Sequence, residues 1–385
     1  MRLLVFNAGS SSLRFTLFNE KLEKIYRGHI DALALKTCHY RNYLKNGKEE
    51  KTPLKIKNHH EAVLYALRRL EQDGAIKNLK EINLVGHRVV HGGSTYKNAI
   101  LITKKVIKNL EKLSPLAPLH NPVNLAVIKS AQQILKNAKH YAVFDTAFYS
   151  TIPQKAFLYG LPYSYYKKDG VRKFGFQGTS HQFVVSETTK ILKNKNLALV
   201  TCHIGNGVSV TATKNGKAMD TTMGFTPLEG PIMGTRSGTI DPGLLLHLLK
   251  KISQEKLQNI LQKESGFLGV SEIGSDVRTL FAKPKSEGTI RTFELFSYQM
   301  AKLILSMIAP LGASPDAIVF TAGIGENAYY LRAQICEYLK PLGLKLDQTK
   351  NRKNAQVISA KNSKIKVLVL KTDEELAIAK AITKN

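Results

Sequence analysis

Two short loops in distant parts of the chain repeat one device, and that repetition constrains the fold more than any other feature. Leu3-Leu4-Val5-Phe6 runs into Asn7-Ala8-Gly9-Ser10-Ser11-Ser12, alternation resumes through Leu13-Arg14-Phe15-Thr16-Leu17-Phe18, and Asn19-Glu20 turns the chain. Much later, Leu197-Ala198-Leu199-Val200 runs into His203-Ile204-Gly205-Asn206-Gly207. Alternation resumes in Val208-Ser209-Val210-Thr211-Ala212 before a turn at Asn215-Gly216. Both stretches predict β-meanders whose first hairpin is tight and built from small residues. A loop without bulky side chains can turn backbone N–H groups toward an anion. One such hairpin in each half predicts a nucleotide held between two related domains.

At 385 residues the chain is long for one core and natural for two domains, and 43% hydrophobic content supplies the cores. No apolar stretch approaches the roughly 18 residues of a membrane span. The N-terminus starts directly with a strand, so neither a membrane nor a secretory signal is expected. Three cysteines, Cys38, Cys202 and Cys336, lie far apart in no metal-like spacing, which fits a reducing cytoplasm. The net charge of +28 invites a nucleic-acid reading. The lysines, however, are scattered singly and in pairs with acids between them, and no arginine-rich tract appears. A generally basic surface that draws in an anionic nucleotide, with no specific nucleic-acid partner, is the expectation.

Between the meanders, strands and helices alternate, which gives an α/β class. Asn58 caps a helix whose apolar face is Ala62, Val63, Ala66, Leu67 and Leu70, ending before Gly74. The first meander closes near Tyr26–Ile30 and is followed by a lysine-rich, weakly patterned stretch. Ile82–Val85 reads as a buried strand leading to Gly86–Gly93, Pro122 opens a helix through Leu135, and Tyr141–Phe144 is a strand ending at Asp145. In the second half a long helix covers about Thr289 to Ile308. Ile318–Phe320 is a strand followed by a glycine loop, Thr321–Asn327, and a helix N-terminus, a ready anion site. Val367–Leu370 and a helix from Thr372 finish the chain, with Thr372 and Glu375 spaced as a capping box.

Few residues stand out as carriers of chemistry. The segment 220–238 is rich in glycine and proline and presents Arg236 between Thr235 and Ser237, free to reach an anion. Arg88 follows a buried strand. Taken singly, each arginine is as readily a solvated surface side chain. Together they would clamp carboxylate and phosphoryl oxygens bidentately. Asp145 ends an apolar strand, where a carboxylate needs an arginine or a metal, and a purely structural pair is the alternative. Glu374 at a helix start serves either the helix dipole or a Mg²⁺ ion. His91, His120 and His181 read equally as hydrogen-bonded loop histidines or as catalytic ones. No Walker loop, protein-kinase motif set or Gly-x-Ser-x-Gly elbow occurs.

These segments, in order and along the whole chain, resemble the acetokinase (acetate kinase) family. The matching stretches are Asn7–Ser12, Gly86–Gly93, Ala117–Pro122, Phe144–Phe148, Gly175–His181, His203–Gly207, Gly234–Gly238, Phe320–Asn327 and Thr372–Leu376. The resemblance implies two actin-like (ribonuclease H-like) domains, with the active site in the interdomain cleft. It places the first domain at 1–149 plus a C-terminal helix at about 377–385, and the second, nucleotide-binding domain at 150–376. The implied reaction is Mg²⁺-dependent interconversion of acetate plus ATP with acetyl phosphate plus ADP, with Mn²⁺ as a substitute, in a cytoplasmic homodimer.

By the same resemblance, Asn7 and Glu374 hold the metal, and Arg88 and Arg236 hold the carboxylate and the phosphoryl group in flight. Asp145 fixes an arginine and orders the site; it has no proton to remove, because the carboxylate nucleophile is already ionised. Arg88, Val90, Leu119, His120, Phe176 and Pro227 bind the acyl substrate. Ser10, Ser12 and Arg14 on the first hairpin, His203, Ile204, Gly205, Asn206 and Gly207 on the second, and Gly323, Ile324, Gly325, Glu326 and Asn327 cradle phosphates. Asp276, Val277 and Arg278 border the adenosine.

Three residues depart from the family pattern. Gln177 stands where the family has a histidine assigned to the transition state. A glutamine donates a hydrogen bond but cannot become cationic, so transfer slower by roughly one to three decades is expected. Tyr149 replaces a histidine in what reads as a peripheral change, and Arg14 replaces a lysine with the charge kept. The alternatives are a propionate or other short-chain carboxylate kinase, and a catalytically weakened nucleotide-binding homologue.

Overall fold

A computed structural model describes residues 1–43 and 49–384. The chain divides into two compact units, Met1–Phe148 with Asp373–Asn385, and Tyr149–Thr372.

In the first unit, the strands are β1 (Arg2–Gly9), β2 (Ser12–Phe18), β3 (Lys24–Asp31), β4 (His39–Tyr43), β5 (Glu49–Pro53), β6 (Ile82–Val89), β7 (Ile100–Leu101) and β8 (Lys139–Phe144). They form one sheet in the order β5-β4-β3-β2-β1-β6-β8-β7. β1 to β5 make an antiparallel meander, while β6 and β8 run parallel to β1. β1 is buried on both faces, which is why it reads as a continuous apolar run. Leu4, Phe6 and Ala8 pack with Ala62, Val63, Ala66, Leu67 and Leu70 of helix His59–Gln72 and with Val127 and Ala131 of helix Asn121–Ile134. Leu3 and Val5 face Ile378, Ala379 and Ile382 of helix Glu374–Thr383. Each such valine, leucine, isoleucine or phenylalanine contributes roughly 1.5–3 kcal/mol by burial. Gly86 lets that last helix approach, since a Cβ there would stand 2.7 Å from Ile378 Cγ2.

The second unit repeats the plan with β9 (Ala198–Ile204), β10 (Val208–Lys214), β11 (Lys217–Thr221), β12 (Ala317–Thr321) and β13 (Lys366–Val369), in the order β11-β10-β9-β12-β13. An antiparallel three-strand meander again precedes two parallel strands. Setting β3-β2-β1-β6-β8 beside β11-β10-β9-β12-β13 shows the duplicated α/β architecture expected from the two hairpins.

Four local readings need correction. The lysine-rich stretch contributes β4 and β5; β5 is exposed at every residue, and its charges blunt the sheet edge instead of marking an apolar face. The long helix spans Glu287–Ser306, capped by Ser286 Oγ on the Thr289 N–H. Residues Ala322–Asn327 form a short helix directly after β12, not a glycine loop. The final helix is capped by Asp373, which accepts from the Leu376 N–H. Thr372 is turned away from that role: its hydroxyl accepts from Ser180 and its N–H donates to Glu326.

Candidate functional site

In the first unit, three neighbouring parallel strands end side by side. Register places Phe6 beside His87 and Val89 beside Phe144. Asn7, Arg88 and Asp145 therefore meet at the carboxyl ends of β1, β6 and β8, where open α/β sheets gather ligands. Asp145 is almost fully buried and takes a bidentate grip on Arg88, with Nε to Oδ1 at 3.0 Å and Nη2 to Oδ2 at 2.6 Å. Arg88 Nη1 donates to Asn7 Oδ1 at 3.0 Å. Asn7 Nδ2 in turn donates to Glu374 Oε2 at 2.9 Å and to Glu375 Oε1 at 3.0 Å. Glu374 Oε2 also lies 3.9 Å from Arg88 Nη1. Burial alone disfavours the charge on Arg88, but Asp145 and then Glu374 outweigh it and hold the guanidinium protonated well above its ordinary range.

The sequence reading missed Glu375 and assigned it only to a capping box. Its carboxylate is buried against Asn7 instead. Around this cluster, Val90 is buried with its N–H on Asn124 Oδ1 at 3.1 Å, and Leu119 is exposed. His120 caps helix Asn121–Ile134 with its backbone. Ser10 and Arg14 are exposed and Ser12 is half-buried on the first hairpin, with Arg14 opposite Asn7.

In the second unit, the hairpin 205–207 joins β9 to β10, closed by the Gly205 N–H on the Gly207 carbonyl at 3.0 Å. His203 and Ile204, just before it, are buried, and His203 Nδ1 lies 2.8 Å from Ser180 Oγ. The Gly234 N–H donates to the Asn206 carbonyl at 3.1 Å, which ties the arginine loop to this hairpin. Arg236 Nη1 donates to the Pro227 carbonyl at 3.0 Å and approaches Met233 Sδ at 3.6 Å. No carboxylate pairs with Arg236 among the described residues, and burial pushes its pKa down.

Gln177 precedes helix Gly178–Ile191 with φ at 60°, a left-handed conformation that costs a non-glycine residue energy. A Cβ built on Gly207 would stand 3.0 Å from Gln177 Nε2 and 3.3 Å from Arg236 Nη1. The nitrogens of two hydrogen-bond donors thus lie within 3.3 Å of one point beside a glycine. That arrangement is suited to an anion.

Further sequence-predicted positions belong to the same unit. Phe176 is buried and Pro227 half-buried. Tyr149 is not peripheral: its ring is fully buried and its hydroxyl donates to the Phe176 carbonyl at 2.6 Å. In the short helix Ala322–Asn327, Gly325 is buried, Gly323 and Asn327 are exposed, and Ile324 and Glu326 are half-buried. Burial raises the Glu326 pKa. Asp276 caps helix Val277–Phe281 and pairs with Arg278, whose side chain is 91% exposed, while Val277 is buried. His181 lies within a helix, not a loop.

A family model described as the acetokinase family matches residues 2–380. An acetate kinase of Thermotoga maritima is 45% identical over 397 residues, covering 99% of this chain and 97% of its own. The crystal structure of Porphyromonas gingivalis acetate kinase is 37% identical with a TM-score of 0.90, covering 99% of each chain. That of a propionate kinase from Francisella tularensis is 36% identical with a TM-score of 0.93, covering 99% of this chain and 98% of its own.

Proposed function

We propose, for a chain that belongs to the acetokinase family, the reversible transfer of the ATP γ-phosphoryl group to acetate, giving acetyl phosphate and ADP. The observation that carries this reading is the convergence of Arg236 and Gln177 on the point beside Gly207. A cation held among neutral partners is costly until an anion arrives, and the phosphoryl group in transfer is such an anion. An acetate oxygen bonds to the γ-phosphorus as the bond to the β–γ bridging oxygen breaks, and the electron pair leaves with ADP. No proton moves, so catalysis is positioning plus electrostatics. Asp145 supports this as an anchor: both its oxygens are committed to Arg88. Arg88 is assigned to the carboxylate, with Val90, Leu119, His120, Phe176 and Pro227 around the acyl group.

The first unit's cluster fits a divalent cation by charge, since Asp145, Glu374 and Glu375 outnumber the one guanidinium among them. Asn7 and Glu374 would hold Mg²⁺, directly or through water, with Mn²⁺ as a substitute. The metal would neutralise phosphate charge there. Backbone N–H groups of 203–207 and 323–327, with Ser10, Ser12 and Arg14, are assigned to phosphates, and Asp276–Arg278 to the adenosine side.

A homodimer belongs to the same reading. Helix Pro242–Leu249 buries none of its residues and leaves Leu244 (44%), Leu246 (66%) and Leu249 (43%) exposed around its circumference, apolar surface of the kind that associates. A cytoplasmic location is supported by three cysteines that are all free and buried. Among the described residues no helix is long and apolar enough to cross a membrane.

The test is Mg-ATP-dependent acyl phosphate formation, trapped with hydroxylamine, using acetate, propionate and butyrate. Turnover with acetate that disappears in Arg236→Ala supports the reading, and absence of turnover despite ATP binding sinks it. Preference for propionate above about tenfold, the worth of one methylene in an apolar pocket, would reassign the substrate.

A further inference from the structure

Behind Gln177 lies a file of polar side chains that the assigned roles do not use. Ser209 on β10 is buried and donates to Gln177 Oε1 at 2.5 Å. His181, also buried, lies 2.7 Å from Ser209 Oγ through Nε2 and 2.7 Å from Thr201 Oγ1 through Nδ1. A hydroxyl has one proton, so these bonds have linked directions. With its proton on Gln177, Ser209 must accept from the Nε2–H of His181. Nδ1 is then bare and takes the Thr201 proton; the other acceptor near Thr201, the Thr211 carbonyl, is at 3.4 Å and the weaker choice. Burial keeps His181 neutral, as this pattern requires.

The donations therefore run one way, from Thr201 through His181 and Ser209 to the carboxamide oxygen. The Gln177 amide nitrogen is left facing the point that Arg236 also faces. The reverse direction would present the oxygen there, an acceptor aimed at an incoming anion. A carboxamide has two ends of opposite polarity and needs its orientation fixed.

We propose that Ser209, backed by His181 and Thr201, is a positioning residue that locks Gln177 as a donor toward the transferring phosphoryl group. This rests on the reading that Gln177 contacts that group.

The test is a double-mutant cycle on the full-length protein with Mg-ATP and acetate. Ser209→Ala lowers kcat about tenfold, a fraction of the loss expected for deleting a preorganised donor outright, with KM for ATP unchanged. In the Gln177→Ala background the same substitution costs less than twofold. An equal loss in both backgrounds marks a structural role and overturns the proposal. If Gln177→Ala alone leaves kcat unchanged, the reading of Gln177 fails instead.

A second readout does not depend on turnover. In ¹⁵N-glutamine spectra, the Gln177 side-chain amide pair, identified by its loss in Gln177→Ala, is expected to be shifted and slow to exchange. It collapses to the solvent-averaged position in Ser209→Ala. Persistence of the shifted pair in Ser209→Ala overturns the proposal.

Discussion

Replacing Gly207 by alanine adds a single methyl at the point where the two donors converge. The new Cβ stands 3.0 Å from Gln177 Nε2 and 3.3 Å from Arg236 Nη1, with Met223 Cε next at 3.7 Å. All three contacts are the ends of flexible side chains, and Gly207 is not among the residues with positive φ. The fold should therefore accept the methyl. Lost chain entropy in the unfolded state offsets the crowding by about 0.4–1 kcal/mol, so Tm should move by no more than a few degrees.

The chemistry should not accept it. Deleting one preorganised donor costs about 10²–10³ in kcat. Here both donors are displaced by a few tenths of an ångström and their shared point is filled, so a loss of about 10²-fold is expected, or about 2.7 kcal/mol in the barrier. Initial rates of acyl phosphate formation at saturating Mg-ATP and acetate measure it, alongside thermal unfolding and ATP affinity. A kcat within threefold of native would refute the reasoning, because the point beside Gly207 would then not lie on the path of the phosphoryl group. A large fall in Tm would refute the claim that these side-chain ends can give way to the methyl.

Other consequences follow from the same geometry. Asp145→Asn breaks a buried bidentate pair and should cost about 3 kcal/mol, read by urea unfolding, with activity lost because Arg88 is no longer held; unchanged stability would contradict the anchoring role. Burial holds the His91 imidazole down at about 4, below its unfolded value of about 6.5. The unfolded chain therefore binds the proton first, and stability is full above pH 6.5 and falls as pH drops from there toward 4. Unfolding free energy should be lower by about 2 kcal/mol at pH 5.0 than at pH 7.5 from this group, and His91→Gln should flatten that slope. Leu246→Glu should convert a dimer to monomers by light scattering, and an unchanged mass would place the interface elsewhere or remove it.

Much of this protein was legible because its signals are local. Period-two alternation broken by small residues marked β1–β2 and β9–β10, and Asn58 with its apolar face marked helix His59–Gln72. Asp145 announced itself as a carboxylate at the end of an apolar strand, where it needs a partner, whereas Arg88 taken singly read equally as a solvated surface arginine. β4 and β5 were not legible, since an exposed edge strand carries charges instead of an apolar face. The glycine segment 322–327 misled, because glycines that signal a loop sit in a short helix against β9, where Gly325 would bring a Cβ within 3.5 Å of Ile204.

What the sequence determined alone was the repeated plan of strands and the small set of residues with no reason to exist in a core. Tertiary structure decided which of them meet. Parallel register brings Asn7, Arg88 and Asp145 together, and the returning C-terminal helix adds Glu374 and Glu375. It also turned Tyr149 from a peripheral change into the support of the Phe176 carbonyl, and set Ser209 and His181 behind Gln177. Those pairings span long loops of chain. Their directions depend on one proton per hydroxyl and on burial that forbids a stray charge, which become determinate only when the atoms are placed.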